Sequence, residues 1–147
     1  MNTFFYAASD SRCRDNCCYE TCSRKCLHLL GQVPALSELL ILPGGSKLQT
    51  PRSMELRSGD IIILYAENSK DIDTLVSIRD FFDTFRVILI VGRNSLMQYA
   101  PQHHLSPRYT TSIDQNMNEL GAIVDRMNEK SQYHSISENQ LQEHNHE

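Results

Sequence analysis

The chain has 147 residues, 40% hydrophobic and 22% charged, with 14 Lys and Arg against 18 Asp and Glu for a net charge of −4. That length suits one domain, which at this size buries roughly 70% of its unfolded surface and folds without a disulfide or metal staple. Three acids (Glu138, Glu143, Glu147) fall beyond residue 130, where there is no Lys or Arg; the body is therefore nearly neutral and lacks the basic field that grips a phosphate backbone, which argues against nucleic acid as a partner.

No apolar run approaches the ~20 residues that span a bilayer, so no membrane partner is expected. The opening MNTFFYAASDSR has no basic start, and its apolar stretch is too short for a secretory signal. The expected location is cytoplasmic, where cysteines stay as free thiols.

In chain order, the first apolar run is Thr3 to Ala8, rich in aromatics. Ser11 to Leu30 follows with helical periodicity, aligning Cys18, Cys22 and Cys26 with Leu29 or Leu30. A short strand is expected at Leu39 to Leu42, stopped by Pro43, Gly44 and Gly45. From there to Asp60 the stretch is loop-rich. Ile61 to Ala66 (IIILYA) is the purest strand signal, β-branched and without polar alternation. A helix is expected next, with Ser69 as N-cap and Ile72, Leu75, Val76, Arg79 and Phe82 on one stripe. Arg86 to Val91 (RVILIV) is the fourth strand and Arg108 to Ile113 the fifth, weaker one. Met117, Leu120, Val124 and Met127 mark a last helix.

Runs apolar on consecutive residues fit strands covered on both faces, as parallel sheets require. Strand and helix in alternation then predict an α/β fold, a doubly wound five-stranded parallel sheet. Residues 1–131 form the expected domain. The polar, aperiodic segment 132–147 is expected to be a disordered tail.

This layout resembles the receiver domain of bacterial response regulators, above all in Gly59 to Asn94, where SGDIIILYAEN, a helix and FRVILIVGRN match the third strand, third helix and fourth strand. The resemblance implies the flavodoxin-like strand order 2-1-3-4-5, with helix two reduced here to a loop. It does not carry the family's chemistry. Where that family phosphorylates an Asp after strand three, this chain reads Tyr65, Ala66, Glu67. Acids directly after strand one hold Mg²⁺ in the family; here Ala7, Ala8 and Ser9 precede Asp10. The hydroxyl after strand four gives way to Gly92 and Arg93, and no Lys follows strand five around Ser112 to Asp114. One displaced Asp beside one Glu does not furnish an octahedral Mg²⁺ site. The resemblance therefore implies a degenerate receiver with no catalysis, cofactor, metal or phosphorylation site. It would be a protein-interaction module meeting a partner or a second copy through helix four, strand five and helix five: Arg93 to Ala100, Tyr109 and the outer face of Gln115 to Lys130. Glu67 is then a standing negative charge near the phosphoacceptor's place, or simply a solvated loop acid. Tyr109 is a switch aromatic, or an ordinary half-buried strand tyrosine.

The five cysteines (Cys13, Cys17, Cys18, Cys22, Cys26) are the least random feature. Four-residue steps set Cys18, Cys22 and Cys26 on the stripe facing the sheet, where cysteine packs as a small hydrophobe. A metal sensor is a further reading of the cluster, although no C-x₂-C pair gathers thiolates around an ion. Cys13 and Cys17 lie on a flank near Arg12 and Arg14 and are the candidates for a thiol sensor, since basic neighbours favour thiolate. Pro43 to Lys47 (PGGSK) follows a strand but lacks P-loop spacing, and reads as a turn; a small ligand bound at the strand carboxyl edge is the remaining alternative. His103 and His104 sit between Pro101 and Pro107 in an expected loop, and no G-x-S-x-G elbow occurs.

Overall fold

Five parallel strands form the sheet, each built from a run expected in sequence. The computed structural model describes residues 3–8, 23–36, 38–42, 60–113 and 119–128. The strands are β1 (Thr3–Ala7), β2 (Leu40–Ile41), β3 (Ile61–Ala66), β4 (Arg86–Val91) and β5 (Tyr109–Ser112). Their order is β2-β1-β3-β4-β5, with every pairing parallel. This is the doubly wound, flavodoxin-like arrangement, with its direction of winding reversing at β1.

β3 and β4 are buried almost throughout because both faces are covered. Alternate residues divide between two layers. Phe4, Tyr6, Ile62, Leu64, Val87 and Leu89 face α2 (Ser69–Ser77). Phe5, Ile61, Ile63, Ile88 and Ile90 face α1, described over Ser23–Gly31, and α3, helical over 119–128. Each such aliphatic side chain contributes about 1.5–3 kcal/mol when fully buried. Cys26 is among them, fully buried beside Leu30 in the second layer, as its place on the helical stripe predicts. Gly121 lets α3 come close: a Cβ there would stand 2.8 Å from Val33 Cγ1.

Three local expectations are corrected. The N-cap of α2 is Asn68, not Ser69: Asn68 is extended (φ −148°, ψ 178°) and its side chain accepts from Asp71 N at 2.9 Å. That choice places Asp71 at the third helical position, where its Oδ2 accepts from Glu67 N at 3.0 Å. Ser69 as cap would set Ile72 there, with nothing to return.

The stripe also does not run through one helix. α2 ends at Ser77, Ile78 caps it, and Arg79–Phe82 form a 3₁₀ turn with Arg79 exposed. A three-residue turn brings both Phe82 and Phe85 inward, where Phe85 meets Phe4 edge-on at 6.0 Å.

Finally, Arg93 to Ala100 forms no α-helix. The β4–β5 crossover is two 3₁₀ segments, Asn94–Gln98 and Ala100–Leu105, which also take in the expected loop at His103 and His104. Leu96, Tyr99, Gln102 and Leu105 recur every third residue and turn toward the body, Gln102 and Leu105 buried and the other two half-buried. A repeat of three fits 3.0 residues per turn, not 3.6. Tyr99 Oη donates to Asp73 Oδ1 at 2.8 Å and ties the crossover to α2.

The expected loop between Leu42 and Asp60, with PGGSK and the reduced helix two, lies outside the described residues, as does the 132–147 tail. No helix among the described residues is long and apolar enough to cross a membrane.

Candidate functional site

The carboxyl edge, where open parallel sheets usually receive ligands, is formed by Ala7 and Ala8 closing β1, Glu67 and Asn68 after β3, Gly92 to Asn94 after β4, and Ser112 and Ile113 closing β5. Asn68 and Asp71 exchange cap bonds with the backbone between Glu67 and Asp71, and Asp71 is buried. Ala8 N reaches Tyr65 O at 3.3 Å, and Gly92 N reaches Ala66 O at 2.9 Å. The β4 end stands so close to the β3 loop that a Cβ on residue 92 would meet Glu67 O at 3.0 Å, and both Glu67 Cα and Tyr65 Oη at 3.2 Å. Any side chain there would push the Glu67 backbone back by a few tenths of an ångström. The Ser112 hydroxyl donates to Asn94 Oδ1 and joins the ends of β4 and β5.

The expected site residues do not converge. Glu67 is half-buried at this edge, and Arg93 beside it is exposed. Tyr109 is the first residue of β5, at the opposite end of the sheet. There it is half-buried, packed against the layer of α1 and α3, and its Oη donates to Glu119 Oε2 at 3.2 Å. Burial and that hydrogen bond, opposed by Thr111, raise its phenol above the ordinary 10.0. Cys13, Cys17, Cys18 and Cys22 lie outside the described residues. Among the described residues, no three His, Cys, Asp or Glu side chains gather as a metal set would.

A second constellation occupies the amino edge. Arg86 opens β4 and Arg108 immediately precedes β5; the two adjoin because Arg108 N bonds Val87 O at 2.7 Å. Arg86 shares its strand face with Ile88 and Ile90 and so enters the α3 layer, where its Nη1 donates to Met127 O at 2.6 Å. Burial, then the charge of Arg108, lower its affinity for its proton, and Asp60 acts the other way. Arg86, Arg108, Tyr109, Ile123, Arg126 and Met127 line a cleft of about 380 Å³.

Sequence reasoning missed this cleft, since its three arginines are scattered over some forty positions. One signal was present: the fourth and fifth strands each open with Arg, and parallel neighbours put their openings side by side.

Comparison with family models, with curated proteins and with solved structures finds no match to this chain.

Proposed function

We propose that this chain is a non-catalytic regulatory module, built like a degenerate receiver, that binds a protein partner or a second copy of itself. Its binding face is the β4–β5 crossover, β5 and the outer side of α3, in a cytoplasmic setting. The carrying observation is the self-closure of the carboxyl edge. Gly92 against Glu67, the Asn68–Asp71 cap and the Ser112–Asn94 bond engage the chain's own groups where a parallel sheet ordinarily presents a reactive one. What the fold leaves outward runs along the crossover and the edge strand: exposed Arg93 and Ser95, exposed His103 and His104, and half-buried Tyr109. On this reading Glu67 is a standing acid near the place a receiver would phosphorylate.

Two measurements test this. Incubation with acetyl phosphate and Mg²⁺, read by intact mass, is expected to leave the full chain unmodified; a phosphorylated aspartate overturns the degenerate-receiver reading. Sedimentation of the full chain, alone and with proteins captured from its host, is expected to detect an association that Arg93→Glu or Tyr109→Ala weakens at least tenfold. An association indifferent to both variants removes this face from the proposal.

A further inference from the structure

The amino-edge cleft lies at the opposite end of the sheet from the closed carboxyl edge, and shares Tyr109 and part of α3 with the proposed binding face. Three guanidinium groups share its wall: Arg86, Arg108 and Arg126. Like charges so placed repel, and the environment of Arg86 already reflects it. Asp60 offsets part of that charge, and Glu119 accepts the phenol of Tyr109. Arg108 and Arg126 are exposed, and among the described residues neither side chain has a hydrogen bond or ion-pair partner. Two positive charges are thus left pointing at one space.

The remaining walls are of another kind. Ile123 and Met127 from α3 and the ring of Tyr109 are apolar, and all three are half-buried. Water's share of liquid volume is about 30 Å³, so 380 Å³ holds far more than a bare ion. It falls at the small end of the ~300–1,000 Å³ typical of ligand pockets. Guanidinium forks match tetrahedral oxyanions through paired N–H donors, which makes arginine the preferred residue for phosphate.

We infer that this cleft binds a small molecule carrying a phosphoryl dianion, with Arg108 and Arg126 clasping the phosphate, Arg86 fixing the inner end of the site, and Tyr109, Ile123 and Met127 covering the organic body. The site is built by the first residue of β4, the turn that leads into β5 and one face of α3.

The test uses the full chain and two probes, phenyl phosphate and inorganic phosphate, against sodium chloride at matched ionic strength and sodium benzoate as a monoanion. Melting temperature and NMR titration are the readouts. A saturable rise with the phosphates, absent with chloride and weaker with benzoate, is expected. Tighter binding of phenyl phosphate identifies an organic ester as the ligand type; equal binding identifies the free ion. The double variant Arg108→Gln, Arg126→Gln should weaken binding at least tenfold while the unliganded melting point holds, since both side chains are exposed. Lys70→Gln, exposed on α2 and in neither proposed site, should change nothing. An equal rise with chloride, or undiminished binding by the double variant, overturns the inference.

Discussion

The two ends of the sheet solve opposite problems. At the carboxyl edge, polar groups are paired with one another: Asp71 with the backbone of Glu67, Asn68 with Asp71 N, Ser112 with Asn94, and Gly92 pressed on the Glu67 backbone. At the amino edge, three arginines face one cleft. Groups bonded internally stabilise the fold and leave little for a visitor, whereas unneutralised charge at a preformed hollow costs some stability and is recovered when a counter-charge binds. Substitutions at the first edge should therefore cost stability, and substitutions at the second should cost binding.

The contrast is sharpest at Gly92. Gly92→Val forces branched carbons onto the Glu67 backbone, and overpacking of this kind costs about 1–3 kcal/mol. Urea unfolding should place it at the upper end; a variant as stable as the parent would mean the approach is not tight. Next comes Asp71→Ala, which leaves the amide of Glu67 without its acceptor at a half-buried site. The expected loss is about 1–2 kcal/mol in the same measurement, with Asn68→Ala close to 1 kcal/mol and Asn68→Gly only a few tenths, as for other N-caps.

Tyr109→Phe is milder, about 0.5 kcal/mol for a largely exposed hydrogen bond. Its clearer mark is on pH dependence. The folded phenol holds its proton above 10.0, so its stabilisation is complete below that pH and is lost as pH rises through 10.0 and past the folded value. The Phe variant should flatten part of that decline between pH 9 and 11. Tyr99, raised by its bond to Asp73, should sustain the remainder. Smallest of all is Arg108→Gln. Surface changes usually stay within about 0.5 kcal/mol, and here the sign should favour the variant because a repulsion on Arg86 is relieved. A loss above 1 kcal/mol would show that Arg108 is structural and dissolve the contrast.

Much of the framework was legible in the residues. IIILYA and RVILIV announce doubly covered strands because no polar residue interrupts them, and the Leu120–Val124–Met127 steps announce a helix packed on one side. The crossover was not legible by the same test. Leu96, Tyr99, Gln102 and Leu105 repeat every three residues, a pattern that searches for 3.6 and 2.0 pass over. The cap of α2 turned on Asp71 as return partner rather than on the merits of Asn against Ser. For the candidate site, Tyr109 was singled out while the arginines around it were not, since only the register of β4 on β5 brings Arg86 and Arg108 together. Arg93 and Tyr109, expected on one surface, follow β4 and open β5 at opposite edges of the sheet, because parallel strands start and end together.

The 3₁₀ crossover has a consequence for how the molecule breathes. Hydrogen bonds between residues three apart are less well aligned than those of an α-helix, and regions poor in such anchoring open first when a native protein fluctuates. Asn94–Leu105 should therefore lift before the β3–β4 centre yields, releasing Tyr99 from Asp73 and exposing Leu105 for brief intervals. Among the described residues, the last crossover is thus a soft seam beside the stiff β3–β4 centre.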